Sequence, residues 1–120
     1  MQSMYIATWT AEKGWDEGTI QPYGPISIMP SAQVLNYGQA AFEGMKAQES
    51  AKGRVVIFRP DKNAERLKAG ALRLSMPPVP EAQFVSAVQS LVSANKDWVG
   101  ARGGLAQLPR RLLLWSFHNL

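Results

Sequence analysis

The sequence contains no cysteine and a single histidine, His118, among its 120 residues. Disulfide bonds and thiolate metal sites are therefore excluded, because both need cysteine side chains. A histidine-based metal site or a Ser-His-Asp triad is also disfavoured, since the one imidazole stands near the end of the sequence. We therefore predict that the chain holds no metal ion.

Long apolar runs are missing as well. No stretch of about 18 apolar residues exists, so no transmembrane helix is expected. Residues 1–25 contain Glu12, Asp16 and Glu17 and no continuous apolar core, so they resemble neither a signal peptide nor a basic transit peptide. We expect a soluble intracellular protein. Two interpretations of its location stay open: a cytosolic protein, or a sequence that starts after a leader, as for a plastid or mitochondrion.

Acidic residues are missing from residues 100–120, which carry Arg102, Arg110 and Arg111. Residues 1–99 hold ten basic and nine acidic side chains, so most of the formal net charge of +4 comes from residues 100–120. A basic excess that is confined to one end and sparse does not indicate binding to a phosphate backbone. Nucleic acid is thus a disfavoured partner.

The residue pattern predicts strands first and helices afterwards. Residues 4–10, 19–23, 26–29 and 54–59 are the predicted strands, and RVVIFR at 54–59 is the clearest. Residues 43–49 also suit a strand, and the short polar turn at 50–53 predicts a hairpin with 54–59. One helix begins at Pro60 and Asp61, with an apolar face of Ala64, Leu67, Ala71, Leu72 and Leu74. A second helix covers residues 81–98, with a stripe of Phe84, Ala87, Val88, Leu91 and Val92. This order predicts an α+β fold, with one antiparallel sheet and two helices packed on one face.

The stretch LNYGQAAFEGMK at residues 35–46 mixes aromatic and small residues without a clean period. Tyr37, Gly38, Phe42 and Gly44 surround a lone acid, Glu43. Such a mixture is typical of a pocket wall, but it also suits a tight turn entering a core strand. Both interpretations stay open. Residues 105–120 pose a similar choice, because their near-continuous apolar order fits a buried strand or a buried helical turn equally well.

Three segments in this order carry a resemblance to a known family: LNYGQAAFEGMKA, VVIFRPDKNAERLKAGALRLSMPP and QFVSAVQSLVSANKDWV. Together they closely resemble the branched-chain amino acid aminotransferases, above all the plant-like, eukaryotic members. These are fold-type IV enzymes that depend on pyridoxal phosphate. The resemblance covers residues 4–99. It implies that residues 1–99 form the N-terminal small domain and that residues 100–120 are a divergent tail from an aberrant or truncated end.

The resemblance implies roles for four residues. Arg66 matches the arginine that grips the cofactor phosphate, Phe42 the wall of the Leu, Ile and Val side-chain pocket, and Gly44 the glycine whose backbone lies against the substrate. Tyr37 matches the tyrosine that reaches into the neighbouring subunit's site, which implies a homodimer. Residue types alone leave blander alternatives open: a solvated arginine, a core phenylalanine, a turn or bulge glycine and a core tyrosine.

The family's catalytic lysine stands in a Lys-x-x-x-Asn-Tyr type setting in a later domain, and none of the six lysines here has that context. We therefore expect no catalytic residue, no activity and no binding of pyridoxal phosphate by this chain alone. The later domain is expected to be missing, and so is the strand that follows the second helix with a Tyr-x-Arg-Pro-Leu sequence. A frameshift, a retained intron or a mispredicted gene end near Val99 is our hypothesis for this change.

The function implied by the resemblance is amino transfer between Leu, Ile or Val and 2-oxoglutarate. A role in synthesis or in breakdown stays open. The alternative is a non-catalytic truncated module that pairs with full-length subunits, and a degraded, non-functional product is a third possibility.

Overall fold

The computed structural model describes residues 2–99 and the backbone of residues 111–117. In chain order the strands and helices are β1 (Ser3–Ile6), β2 (Trp9–Thr10), β3 (Gly14–Trp15), β4 (Thr19–Pro22), α1 (Gln33–Tyr37), β5 (Ala40–Glu49), β6 (Val55–Ile57), α2 (Pro60–Arg73), α3 (Glu81–Ala94) and β7 (Arg111–Phe117). A 3₁₀ turn, Lys96–Trp98, follows α3.

The four N-terminal strands form two small antiparallel pairs, β1 with β4 and β2 with β3. Asp16 links the two connections between these pairs, the one from β1 to β2 and the one from β3 to β4. Its Oδ1 accepts hydrogen bonds from the backbone N–H groups of Thr8 and Gly18, both at 3.0 Å. Gly18 has a φ of +68°, and a Cβ there would lie 2.2 Å from the Tyr5 hydroxyl oxygen. Glycine is therefore required at this turn by both its backbone angle and its close neighbour.

Strand β5 lies at the centre of the third sheet, between β6 and β7. The predicted hairpin between residues 43–49 and 54–59 is confirmed, because Ala47 pairs with Ile57 in an antiparallel register. On its other edge β5 pairs with β7, from Ala40 opposite Phe117 to Lys46 opposite Arg111. The choice left open for the apolar segment is thus settled as a strand for residues 111–117. This strand does not carry the Tyr-x-Arg-Pro-Leu sequence of the strand that was expected to be missing.

Helix α2 begins with proline at its first position, as predicted. Its buried face contains Ala64, Leu67 and Ala71, but Leu72 and Leu74 are exposed, which corrects that part of the prediction. The helix ends at a Schellman motif, in which the Met76 N–H donates to the Ala71 carbonyl at 2.9 Å and Ser75 has a φ of +55°. The two prolines at 77 and 78 then separate it from α3.

The core is the space between β5, α2 and α3. Its buried side chains are Met45, Ala64, Leu67, Phe84, Val88 and Leu91. The predicted apolar stripe of α3 supplies three of them, which confirms its inward face. Burying each of the large side chains contributes about 1.5–3 kcal/mol, so this cluster fixes α2 across β5 and thereby positions the site described below.

The α+β class is confirmed, but the single sheet is wrong, because the described strands divide among three antiparallel sheets. The predicted strand at residues 26–29 is also wrong, since this segment contains neither helix nor strand. Pro25 and Pro30 flank it and lack a backbone N–H, so a strand ladder cannot extend in either direction beyond these four residues. The chain between β4 and β5 therefore leaves the first sheets, and α1 leads it into β5.

Asn95, just after α3, fastens the N-terminal strand to the helical layer. Its buried side-chain amide accepts hydrogen bonds at Oδ1 from the backbone N–H groups of Gln2 (2.8 Å) and Ser3 (3.0 Å). Its Nδ2 donates to the Ser3 carbonyl (3.1 Å) and to the Leu91 carbonyl (2.9 Å). Both donor hydrogens and both acceptor lone pairs of the amide are thus used.

A second link joins the same layers through α3. The Gln83 Nε2 atom donates to the Asp16 carbonyl at 2.5 Å, and the Tyr5 hydroxyl donates to the Glu17 carbonyl at 2.6 Å. The Trp15 indole N–H donates to the Pro78 carbonyl at 3.0 Å. Tyr5, Trp15 and Gln83 line an open cleft between the N-terminal strands and α3, and these bonds show that their polar groups make structural contacts.

Within the described ranges, no helix is both long and apolar enough to cross a bilayer.

Candidate functional site

The candidate site is organised by the alternation of side chains along β5. Glu43 and Met45 are buried beneath α2, whereas Phe42 is 69% exposed. Because neighbouring residues of a strand point to opposite faces, Phe42 and Gly44 share the outer face and Glu43 lies on the inner face. A strand with a buried carboxylate next to an exposed aromatic ring is unusual, since an acid is seldom fully buried without a partner.

The partner of Glu43 is Arg66, which extends from α2. The Arg66 Nε atom donates to Glu43 Oε2 at 2.6 Å, and Nη2 donates to Oε1. The pairing is bidentate, so both carboxylate oxygens meet the fork of the guanidinium group. Burial differs sharply between the two side chains, because Glu43 is 3% exposed and Arg66 is 70% exposed. The carboxylate is therefore the fixed end of the pair, and the arginine is the end that meets solvent.

Two further donors complete the shell of the carboxylate. The Gly44 backbone N–H donates to Glu43 Oε1 at 2.9 Å, and the Asn63 Nδ2 atom donates to the same oxygen at 3.0 Å. Asn63 Nδ2 also lies 3.3 Å from the Gly44 carbonyl oxygen. Since Asn63 and Arg66 are three residues apart on α2, both project from one face of that helix. The helix thus holds the strand at Glu43 and Gly44 together.

The shell determines the charge state of Glu43. Burial alone would raise the pKa of this carboxyl group, but hydrogen bonds from Arg66, Asn63 and Gly44, with the positive charge of Arg66, lower it below its ordinary value of 4.5. The same pairing raises the pKa of Arg66. Glu43 is therefore ionised at neutral pH, and the pair is a true ion pair.

The lowered pKa predicts how stability depends on pH. A carboxyl group that titrates at lower pH in the folded chain stabilises the fold above its ordinary pKa, and this contribution is lost as the pH falls through the folded value. Unfolding in urea at pH 7, 5, 4 and 3 is expected to show a steeper loss of stability below about pH 4.5 for the wild type than for Glu43→Gln.

The matched control for that comparison is Glu65→Gln, which removes a half-exposed carboxylate paired with Lys62 on the same helix. This variant is expected to lose stability below about pH 4.5 as steeply as the wild type, because exposed ion pairs contribute little to the free energy of unfolding. Superimposable curves for the wild type and Glu43→Gln would contradict the ion-pair assignment.

The structure brings together only some of the four residues singled out by sequence. Phe42 and Gly44 share the outer face of β5, and Arg66 lies on the helix side, joined to Gly44 through Glu43. Tyr37 is the last residue of α1 and is 82% exposed. The alternatives of a core phenylalanine for Phe42 and a core tyrosine for Tyr37 are therefore wrong for the described part of the chain.

Gly44 is not explained by its own backbone or by packing. Its φ is not positive, and among the described residues no atom lies within 4 Å of a Cβ built there. The alternative of a turn or bulge glycine is wrong, because Gly44 lies in the middle of β5 and pairs one-to-one with Leu113 in an unbroken register. Its effect is to leave the outer face open beside Phe42.

Sequence reasoning missed the roles of Glu43 and Asn63. A signal for Glu43 was present, because in AAFEGM the acid has the same strand parity as the apolar Met45. An acid at a core-facing position needs a cationic partner, and an arginine on the adjacent helix would have been the natural candidate. Asn63 carried no comparable signal, since asparagine near a helix start is common on surfaces.

Arg66 retains donors that could bind an anion. A guanidinium group has five N–H donors, and Glu43 occupies one on Nε and one on Nη2. The other donors belong to a largely exposed side chain, so the donor set fits a phosphate group. Across residues 2–99, by contrast, no cluster of three or more His, Asp or Glu side chains could hold a metal ion.

Comparisons with known proteins bear on this arrangement. No family model matches the chain. Curated relatives do match: the chain is 48% identical to Branched-chain-amino-acid aminotransferase 6 of Arabidopsis thaliana over 113 residues, which is 94% of this chain and 32% of that protein. It is 45% identical to the Branched-chain-amino-acid aminotransferase of Mycolicibacterium smegmatis over 101 residues, 84% of this chain and 27% of that protein.

The chain belongs to the branched-chain-amino-acid aminotransferase family. A further member, Branched-chain-amino-acid transaminase 1 of Bacillus subtilis, is 43% identical over 101 residues, 84% of this chain and 28% of that protein. The chain thus spans about a third or less of the length of the aminotransferases it matches. Plant and bacterial members match at similar identity, so the preference for plant-like members stays a prediction.

The aminotransferase match also bears on residues 100–120. A match of 113 residues is longer than the 99 residues that precede Gly100, so it includes part of this segment. The similarity therefore does not stop at Val99 in every relative. The division of the chain into residues 1–99 and a divergent tail stays a prediction.

Proposed function

We propose that this chain is the segment of a branched-chain aminotransferase that carries the cofactor-phosphate arginine and one wall of the substrate pocket. The whole enzyme would exchange an amino group between Leu, Ile or Val and 2-oxoglutarate. Pyridoxal phosphate supplies the electron sink for this chemistry when it is bound. The observation that carries the proposal is the buried, bidentate Glu43 anchor, which leaves the outer donors of Arg66 in solvent.

In this proposal each residue does a physical task. Arg66 binds the phosphate group through charge-assisted hydrogen bonds, which are stronger than neutral ones. Phe42 offers apolar area to an aliphatic side chain, and Gly44 keeps room for the substrate because it has no Cβ. The open space at Gly44 and the exposure of Phe42 support these tasks.

The chain alone is proposed to be inactive, because none of its six lysines has the sequence setting of the family's catalytic lysine. The test is a hybrid in which residues 1–99 of this chain replace the matching residues of the Arabidopsis aminotransferase. This hybrid is expected to retain pyridoxal phosphate through dialysis and to transaminate leucine, whereas the isolated chain does neither. The measurements are cofactor absorbance and glutamate formation from 2-oxoglutarate.

Two outcomes of this experiment would refute the proposal. One is a folded hybrid, with the circular dichroism of the parent enzyme, that retains no cofactor. The other is leucine turnover by the isolated chain. A second hybrid that carries all 113 matched residues tests whether part of residues 100–120 is compatible with the enzyme. Equal activity of the two hybrids would argue against an aberrant tail.

A second candidate function, pairing with a full-length subunit, is favoured by the exposure of Tyr37. Leu35, two residues earlier on α1, is also exposed, so the short helix presents apolar side chains to solvent. Co-elution of the chain with the Arabidopsis aminotransferase on a sizing column tests this candidate. A chain that elutes as a monomer at every ratio rejects it.

A further inference from the structure

The contacts of Gly44 and Arg66 meet at one pair of side chains. Glu43 Oε1 accepts hydrogen bonds from the Gly44 N–H, from Asn63 Nδ2 and from Arg66 Nη2. Asn63 in turn lies within hydrogen-bond distance of the Gly44 carbonyl. Both polar backbone atoms of Gly44 are thus held by Glu43 and Asn63, and Glu43 also binds Arg66.

We propose that Glu43 and Asn63 are positioning residues that fix the Arg66 guanidinium and the Gly44 backbone relative to each other, so that a bound phosphate group and a substrate are aligned across β5. This inference rests on the function proposed above. It assigns to Glu43 and Asn63 a task that they perform through Arg66 and Gly44.

Freedom of motion is the first physical reason. An exposed arginine ordinarily samples many rotamers, and a binding site must restrict them at an entropic cost. Two hydrogen bonds to both oxygens of a buried carboxylate fix the plane of the guanidinium group before any ligand arrives. The outer donors are thereby pre-organised for a planar or tetrahedral anion.

The second reason lies in the glycine. Gly44 needs no side chain so that the outer face stays open, but glycine is also the residue with the freest backbone. The Gly44 N–H donates to Glu43 Oε1 and the Gly44 carbonyl accepts from Asn63 Nδ2, and these two bonds restrict that freedom. Gly44 therefore leaves the outer face of β5 open while its own backbone stays ordered.

The third reason is the mechanical link. Arg66 and Asn63 project from the same face of α2, and α2 is fixed on β5 by the buried Met45, Ala64 and Leu67. Beyond this packing, the Arg66 side chain is joined to the strand through Glu43, and Asn63 joins the same helix face to Glu43 and to the Gly44 carbonyl. Replacing Glu43 or Asn63 is therefore expected to affect two separate quantities, the Kd of pyridoxal phosphate and the KM for leucine.

The test uses the hybrid aminotransferase and compares pyridoxal phosphate with pyridoxal, which lacks the phosphate. Glu43→Gln is expected to raise the Kd of pyridoxal phosphate about tenfold, equivalent to the loss of one hydrogen bond to a charged group, and to leave pyridoxal within about twofold. Asn63→Ala is expected to raise the KM for leucine more than it raises the Kd of the phosphate form. Glu65→Gln, the matched surface variant, changes neither.

A double-variant cycle separates positioning from general damage. If Glu43 acts through Arg66, adding Glu43→Gln to Arg66→Met causes no further loss of phosphate affinity, since there is no arginine left to orient. Additive losses overturn the inference. So does a Glu43→Gln hybrid whose preference for the phosphate form stays within twofold of the wild type.

A measurement on the 120-residue chain keeps the inference testable without the hybrid. In ¹⁵N spectra, the Arg66 Nε–H is expected to exchange with water more slowly than that of the exposed Arg73, and Glu43→Gln removes the difference. Equal exchange of both arginines in the wild-type chain overturns the inference alone. A wild-type hybrid that binds no cofactor overturns the proposed function, and the inference with it.

Discussion

Replacing Arg66 with methionine is expected to weaken the binding of pyridoxal phosphate to the hybrid aminotransferase about 10- to 100-fold. Each charge-assisted hydrogen bond to the phosphate group contributes about 1.5–3 kcal/mol, and a tenfold change in Kd corresponds to about 1.4 kcal/mol. Methionine keeps much of the length and apolar stem of arginine and removes every donor. Fluorescence titration with the cofactor measures the change.

Arg73→Met is the matched control for this substitution. Arg73 lies seven residues further along α2, which is two helical turns, and is likewise exposed. It is expected to leave the Kd of pyridoxal phosphate within about twofold of the wild type, because it has no part in the Glu43 network. Equal losses for the two variants would show that α2 contributes only general positive charge, and the assignment of Arg66 would fail.

Arg66→Met also has a consequence for the stability of the isolated chain. Without Arg66, Glu43 keeps its burial and loses its only cationic partner among the described ion pairs. The pKa of its carboxyl group is therefore expected to rise from its lowered value, and the stability gained above that pKa becomes smaller. Urea unfolding of the isolated chain, which involves no cofactor, thus reports on the same arginine as the cofactor titration of the hybrid.

Replacing Asn95 with leucine is expected to lower the free energy of unfolding by about 3 kcal/mol. Leucine has the same branched outline, although it is larger, and it cannot bond the N–H groups of Gln2 and Ser3 or the carbonyls of Ser3 and Leu91. Leaving a buried backbone donor or acceptor unpaired costs about 1–3 kcal/mol, and the partly exposed strand end recovers some of this in water. The melting temperature is expected to fall by about 10 °C or more.

Two comparisons make the Asn95 result specific. Asn95→Asp keeps the acceptor for Gln2 and Ser3 but loses the donors, so its melting temperature is expected to lie between those of the wild type and Asn95→Leu. Deleting residues 1 and 2 removes one of the four hydrogen-bond partners of Asn95, the Gln2 N–H, and is expected to lower the free energy of unfolding less than Asn95→Leu does. If Asn95→Leu melts within 2 °C of the wild type, the bonds to β1 do not fasten the N-terminal strand.

The sequence was sufficient for the elements that depend on local pattern. The two long helices have apolar residues at helical spacing, and Pro60 marks the start of the first, so their positions followed directly. The hairpin of β5 and β6 followed from two β-rich runs around a short polar turn. The burial of Ala64, Leu67, Phe84 and Val88 required no information from distant residues.

Other features depend on pairings that a pattern does not contain. The division into three sheets is determined by which strand edges meet, and this was not readable from residues 4–29. Helix α1 has only five residues, fewer than helical periodicity can identify. The positions of Arg66, Phe42 and Gly44 came from the family resemblance, whereas the link between them, Glu43 and Asn63, is a matter of geometry across 20 residues.

The alternation of β5 limits how this segment can change over evolutionary time. Even-numbered residues such as Phe42 and Gly44 face outward, and odd-numbered residues such as Glu43 and Met45 face the helices. Inserting or deleting one residue within the strand exchanges these two sets for everything beyond that point. A pocket on this wall can therefore be reshaped by substitution at every second residue, but not by a change in length, without disrupting the core.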